Sequence, residues 1–153
     1  MNPKIMLGLT LAVSGFWLGC SGALVHPVNE PPDSIYRIVV EPAKSQARVR
    51  CSFSVKLLVE NVTATNLFVH TMSQSWQSQW QTSNPDVSLC YPAATANAPI
   101  TIAIPPGGIW TNEMGLGIVK SNSNDQIPFQ MGFTPDPIGE TFWSKEVSVR
   151  VIP

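Results

Sequence analysis

Two tryptophans in a glutamine-rich segment are the first candidates for ligand binding. Trp76 and Trp80 occur in residues 75–81, which read SWQSQWQ. On a β-strand both indoles would share one face, about 13 Å apart, and the glutamines would cover the other face. Exposed indoles stack on sugar rings and amides bond hydroxyl groups, which predicts carbohydrate binding. In the alternative interpretation the indoles fill the core, as large aromatic side chains commonly do. A helix would place them at i and i+4, which also favours packing.

His70 and Met72 are the candidates for metal binding. Imidazole and thioether groups suit copper, and on a strand these two side chains would share one face about 7 Å apart. A Cys followed closely by His and Met, the arrangement of blue-copper domains, is absent after Cys90. A lone His beside a Met is also explained by packing. We therefore expect no bound metal or cofactor and retain copper handling as an alternative.

The sequence carries none of the common catalytic motifs. It has no Gly-x-Ser-x-Gly, no Gly-x-x-x-x-Gly-Lys phosphate loop, no His-Glu-x-x-His and no Cys-x-x-Cys. Its histidines are His26 and His70, and nothing in the sequence places an activated nucleophile beside His70. We therefore expect a protein that is not an enzyme.

The first residues have the pattern of an export signal. Lys4 supplies the positive start, and Ile5 to Leu18 form an uncharged apolar stretch that is short for a membrane span. The stretch ends in Gly19-Cys20, and this end resembles the lipobox of bacterial lipoproteins. The resemblance implies a signal peptide of residues 1–19 and a lipid on Cys20, whose buried acyl chains would hold the protein at a membrane of the cell envelope.

Two other outcomes of export remain open. Ser21-Gly22-Ala23 also fits ordinary signal cleavage, which would release a soluble secreted or periplasmic protein. The apolar segment can also remain uncleaved as an anchor. All three outcomes place the rest of the chain outside the cytoplasm.

The remaining two cysteines are interpreted from this compartment. If Cys20 carries lipid, Cys51 and Cys90 form an even pair, and an oxidising environment favours a disulfide between them. Such a bond would close a loop of about 40 residues and stabilise the fold by about 3–4 kcal/mol. The alternative is two separate buried thiols.

Composition limits the classes of partner. Without residues 1–19 the chain keeps eight basic and ten acidic side chains, and this balance argues against nucleic acid as the main partner. The expected partners are the lipid membrane, through Cys20, and another envelope protein or a glycan. The protein would act as a non-enzymatic binding or structural module.

The rest of the chain predicts one all-β domain. Residues 20–34 contain three prolines and predict an extended tether, followed by a domain of residues 35–153. Period-two alternation predicts a strand over Ala47 to Val59. Further candidate strands are Tyr36–Val40, Leu67–Met72, Ile100–Ile104, Leu116–Val119, Ile127–Phe133 and Val147–Val151.

Seven or eight short strands with intervening turns are typical of an antiparallel β-sandwich. The run Trp143-Ser144-Lys145-Glu146, followed by alternating valines, resembles the last strand of bacterial immunoglobulin-like domains. The resemblance implies an immunoglobulin-like sandwich.

Overall fold

The computed structural model describes residues 34–91, 96–121 and 125–152, and this part of the chain is almost entirely β-structure. The helical element found there is a single 3₁₀ helix, Trp76–Gln79. The strands are β1 Tyr36–Pro42, β2 Gln46–Arg48, β3 Ser52–Asn61, β4 Leu67–Met72, β5 Trp80–Thr82, β6 Val87–Cys90, β7 Pro99–Ile104, β8 Ile109–Ile118, β9 Gln126–Phe129, β10 Met131–Phe133, β11 Phe142–Trp143 and β12 Val147–Ile152.

The largest sheet has four antiparallel strands in the order β1-β3-β8-β6. Strand β3 alternates strictly between buried and solvent-facing positions, because apolar and polar residues alternate with the pleat. Phe53, Val55, Leu57 and Val59 face the core, and Ser52, Ser54 and Lys56 face solvent. This sheet therefore has one face buried in the core and one face exposed to solvent.

Two three-stranded sheets, β5-β10-β11 and β9-β12-β2, follow one another end to end. Only Gln130 separates β9 from β10, and only residues 144–146 separate β11 from β12. Ser144 donates its backbone N–H to the Met131 carbonyl at 2.9 Å, and its hydroxyl accepts the Met131 N–H at 3.0 Å. These bonds continue the pairing across the break.

The sheets are consistent with the predicted all-β sandwich. The order β1-β3-β8-β6 forms one sheet, and β5, β9 to β12 and β2 form a second group of two three-stranded sheets. Strand β2 adds to this second group in parallel with β12. The predicted all-β fold with antiparallel sheets is confirmed, although the described residues contain twelve strands rather than seven or eight.

The predicted strand Ala47 to Val59 is wrong as a single element. Residues 46–48 pair with β12, whereas the chain from Ser52 onward pairs with β1 and β8. The turn between them contains Arg50 at a φ of 62°, and Cys51 donates its N–H to the Arg48 carbonyl at 3.2 Å. Ala47 and Phe53 both face the core, so the alternation continues through the turn and hides the change of sheet.

An aromatic cluster occupies the core around Phe133. The ring of Phe133 lies 5.7 Å from that of Tyr36, 5.0 Å from that of Trp80 and 5.9 Å from that of Trp110. Its side chain is completely buried. Burial raises the pKa of the Tyr36 phenol, which therefore stays neutral well into the alkaline range.

Asn61, at the end of β3, is a buried polar anchor. Its Nδ2 donates to the carbonyls of Thr65 at 2.7 Å and Ile104 at 2.8 Å, and its Oδ1 accepts the N–H and hydroxyl of Thr63. The side chain thereby joins the end of β3 to the end of β7. Asn61-Val62-Thr63 has the letters of a glycosylation sequon, but in the folded protein this amide is fully occupied and buried.

Replacing Phe133 with alanine should destabilise the domain by about 3–5 kcal/mol, because it removes the ring at the centre of the aromatic cluster. Phe68→Ala is the matched control, since Phe68 is 57% exposed, and should cost less than about 1 kcal/mol. Urea unfolding followed by tryptophan fluorescence measures both. Equal losses in the two variants would contradict this packing.

Candidate functional site

The structure does not present Trp76 and Trp80 as a platform for sugars. Trp80 is only 3% exposed, begins β5 and packs on Phe133. Trp76 lies in the 3₁₀ helix, is half-buried, and contacts Trp110 with ring centroids 6.5 Å apart. The segment predicted as one strand is therefore a 3₁₀ turn followed by a short strand. The interpretation of these indoles as core residues fits this geometry.

His70 and Met72 share the outward face of β4, as the strand spacing predicted. The His70 imidazole is exposed, and its Nδ1 lies 3.0 Å from the Thr101 hydroxyl across the β4–β7 pair. Within residues 34–91, 96–121 and 125–152, no three His, Cys, Asp or Glu side chains come together as a metal site. The face thus offers one imidazole beside one thioether.

The predicted disulfide between Cys51 and Cys90 is absent from the structure. Both are free thiols and both are exposed. Cys51 directly precedes β3, Cys90 ends β6, and β8 lies between those two strands. Two interstrand spacings amount to about 10 Å, whereas bonded cysteines need Cα atoms within about 7 Å. The expectation failed because Cys51 lies in the turn between sheets and not on the inward face of β3.

The proposed lipidation residue, Cys20, and residues 1–33 as a whole lie outside the part of the chain that the structure describes. No helix among the described residues is long and apolar enough to cross a membrane.

A cleft lies where β6 ends beside β8. We call it the β6–β8 cleft; it has a volume of about 350 Å³ and is lined by Gln77, Cys90, Tyr91, Glu113, Met114 and Gly115. It combines an amide, a thiol, a phenol and a carboxylate around a glycine. A cleft with these groups can donate and accept hydrogen bonds.

Unequal strand lengths produce this cleft. Strand β8 has ten residues, but β6 has four and pairs only with residues 115–118 of β8. A Cβ at Gly115 would lie 3.2 Å from the Cβ of Cys90, so glycine is what lets the end of β6 pack so closely here. In the sequence, Pro92 follows Cys90 by two positions, and proline has no backbone N–H to donate.

The hydrogen-bond register shows which way the remaining β8 backbone groups point. The backbone N–H of Asn61 donates to the Gly108 carbonyl, and that of Val119 donates to the Asp86 carbonyl. These residues are therefore hydrogen-bonded pairs at the ends of the β3–β8 and β6–β8 ladders, respectively. In antiparallel pairing such residues alternate. The even-numbered residues of β8 therefore bond to β3, and the odd-numbered ones point to the β6 side. Beyond Gly115, the N–H and C=O groups of Thr111 and Glu113 have no strand partner among the described residues.

Two amide side chains stand beside this unpaired edge. Gln77 is 7% exposed, and its side chain makes no hydrogen bond among the described residues, although it lines the cleft. Asn112 lies between Thr111 and Glu113 on the inward face of β8, and its buried Nδ2 is without a partner in the same part of the chain. A buried amide is normally hydrogen-bonded, so the unpartnered Nδ2 of Asn112 leaves unsatisfied hydrogen-bonding capacity beside this edge.

Charged side chains form a row across the outer face of the sheet. Glu41, Lys56 and Glu113 are in register on β1, β3 and β8. Lys56 Nζ lies 3.8 Å from Glu41 Oε2. A second depression of about 250 Å³ borders this row and shares Glu113 with the β6–β8 cleft. One lysine between two glutamates leaves the row with an excess of negative charge.

Of the residues that line this cleft, Cys90 is singled out by the sequence, as a disulfide partner and not as part of a site. The strand interpretation of residues 75–81 places Gln77 on the solvent side, and no local pattern distinguishes Glu113 from the other acidic residues. Tyr91-Pro92 gave the one local signal, since proline ends a strand's hydrogen bonding. The mismatch between β6 and β8 depends on pairing between distant segments.

No protein-family model matches this chain, and no curated protein has significant similarity to it.

Both thiols of the folded domain should react with a maleimide without prior reduction, because both are exposed. Peptide mass spectrometry of the native protein should find label on Cys51 and on Cys90. Reduction before labelling should not increase the yield at either position. A peptide cross-linked through these two residues in the unreduced protein would contradict the structure.

Proposed function

We propose that this protein is a lipid-anchored binding module of the bacterial cell envelope, with no catalytic role, which holds a partner protein in its β6–β8 cleft. The proposal has two supports. The leader sequence supports the localisation, and the cleft supports the binding role.

The leader sequence supports localisation to the cell envelope. Lys4, the uncharged stretch from Ile5 to Leu18 and Gly19-Cys20 together form the pattern of an exported and lipidated precursor. A lipid on Cys20 would leave residues 20–34 as the tether. Cleavage after Ala23 would give the same domain in soluble form, and the two forms differ at their N-termini.

The observation that carries the binding proposal is the coincidence of three features in the cleft. Gln77 lines it with a side chain that makes no hydrogen bond to the described residues, Thr111 and Glu113 have no backbone partner in that part of the chain, and the space beside Glu113 is open to solvent. Each feature carries unsatisfied hydrogen-bonding capacity, which a partner can satisfy. A sheet on a packed core holds these groups in fixed positions.

A protein partner fits these groups better than a glycan. Sugar recognition would use the indoles, but Trp80 is buried and Trp76 packs on Trp110. The cleft instead offers backbone N–H and C=O groups along a strand, which polypeptides recognise by adding a strand. The excess of acidic side chains also disfavours nucleic acid.

Cys20→Ala should abolish incorporation of a labelled fatty acid and should release the protein from the membrane fraction or leave it as precursor. Lipidation requires the Cys20 thiol, and more than one acyl chain is needed for stable attachment. Cys51→Ala is the matched control and should retain the label. A mature wild-type protein that begins at Leu24 would contradict the lipid anchor.

A photoreactive benzoylphenylalanine in place of Tyr91 should form a discrete adduct with one envelope protein in living cells, because Tyr91 lines the cleft and is exposed. The same probe at Ile138, which is 95% exposed in a loop, is the control and should not form that adduct. Glu113→Lys should weaken the Tyr91 adduct. Identical adducts from both positions would refute a specific site in the cleft.

A further inference from the structure

We propose that the β6–β8 cleft recognises an extended peptide by strand addition to β8 beside Thr111 and Glu113, and that the side chain facing Glu113 is lysine or arginine. This inference rests on the proposed function and names the mode of binding and the chemistry of the partner. It concerns the six residues of β8 that extend beyond the end of β6.

The backbone provides the template for the added strand. Thr111 and Glu113 each present one N–H and one C=O toward the position that β6 would occupy if it were longer. A bound strand can therefore make up to four backbone hydrogen bonds in the register that β6 has already set at Cys90 and Gly115. Exposed edges with unpaired groups are templates for such pairing.

The side chains of the bound strand would alternate between two environments. On the inward side they would approach Asn112, whose Nδ2 is buried and unpartnered, and Met114, which is buried. Gln77 borders the same space. A residue with a polar group near an apolar stem, such as threonine, matches this combination.

On the outward side, the bound strand would extend the charged row. The row runs Glu41, Lys56, Glu113, and on its other side Glu113 pairs with no described residue. Lys56 lies between the two glutamates in register, and its Nζ pairs with Glu41 Oε2 at 3.8 Å. Opposite charges on directly opposed residues stabilise strand pairing, and like charges destabilise it. A basic residue of the bound strand opposite Glu113 completes an alternating row.

A second copy of this chain is a poorer occupant. Pairing two β8 edges about a twofold axis would make the two Glu113 carboxylates direct or diagonal neighbours. Without residues 1–19, the chain also carries an excess of two acidic side chains. The charge pattern therefore favours a different protein with a basic segment.

Hydrogen exchange of the full chain in detergent micelles tests this inference. The probe is the acetylated and amidated peptide Val-Thr-Lys-Thr-Val, whose threonines face inward when its lysine faces Glu113, and the control peptide has glutamate in place of lysine. Without peptide, the amides of Thr111 and Glu113 should exchange much faster than those of Asn112 and Met114, which bond to β3. The lysine peptide should slow exchange at Thr111 and Glu113 at least tenfold and should bind at least fivefold more tightly than the control.

Two variants separate recognition from folding. Glu113→Lys should reverse the preference between the peptides, since the position is exposed and tolerates either charge. Glu140→Lys changes the net charge equally in an exposed loop and should leave the preference unchanged. Thr111→Pro removes the N–H of residue 111 and should abolish peptide protection at Glu113. Because that N–H does not bond to β3, the sheet should survive, and unchanged circular dichroism would show this.

The outcomes distinguish this inference from the proposed function. A Tyr91 adduct in cells without peptide protection at Thr111 and Glu113 would overturn strand addition alone. Peptide protection with no Tyr91 adduct would overturn the proposed function alone. Protection that rises with protein concentration in the absence of peptide would overturn the heterologous partner, because it would show self-association.

Discussion

The burial of the inward face of β3 against the rest of the core is the constraint on which this structure depends. Val55, Leu57 and Val59 have no exposed surface, and they occupy the strand that pairs with both β1 and β8. Interiors packed at this density tolerate little change of volume. The central strands β3 and β8 set the register of the four-stranded sheet. They thereby also position the backbone groups of β8 that have no partner among the described residues.

The same constraint explains why the functional surface lies at an edge. The inward faces are used for packing and the centre of the sheet has its hydrogen bonds satisfied, so backbone groups without a partner lie at sheet edges, among them the part of β8 beyond the end of β6. Strand β8 extends six residues beyond the end of β6. Natural sheets normally protect such edges with charges, and Glu113 provides one there. A charge that blocks unspecific pairing also selects a partner of opposite charge.

The outer face of the sheet shows how strand pairing creates electrostatics that no single segment contains. Glu41, Lys56 and Glu113 come from three strands and become a row only through the registers of two ladders. Arg37 and Glu60 form another cross-strand pair at 2.9 Å on the same face. Exposed pairs of this kind contribute little stability. Their importance here is the order of charges that they present to a partner.

The sequence by itself determined the fold class and most strand positions, because period-two alternation is a local property. Strand β4 matches its prediction residue for residue, and β1, β7 and β12 contain theirs. The alternation could not reveal that the chain changes sheets at residues 49–51, since both segments face the core with the same parity. The leader pattern and the resemblance at Gly19-Cys20 are also local, and lipidation at Cys20 stays a prediction.

Tertiary structure alone decided which chemical groups meet. It separated Cys51 from Cys90 by placing β8 between their strands, and it buried Trp80 while leaving His70 exposed. It also brought Gln77 beside Glu113, 36 positions away in the sequence. Composition and alternation specify which way a side chain faces, whereas its neighbours depend on pairing between distant strands. A site made by unequal strand lengths is therefore visible only after the strands have paired.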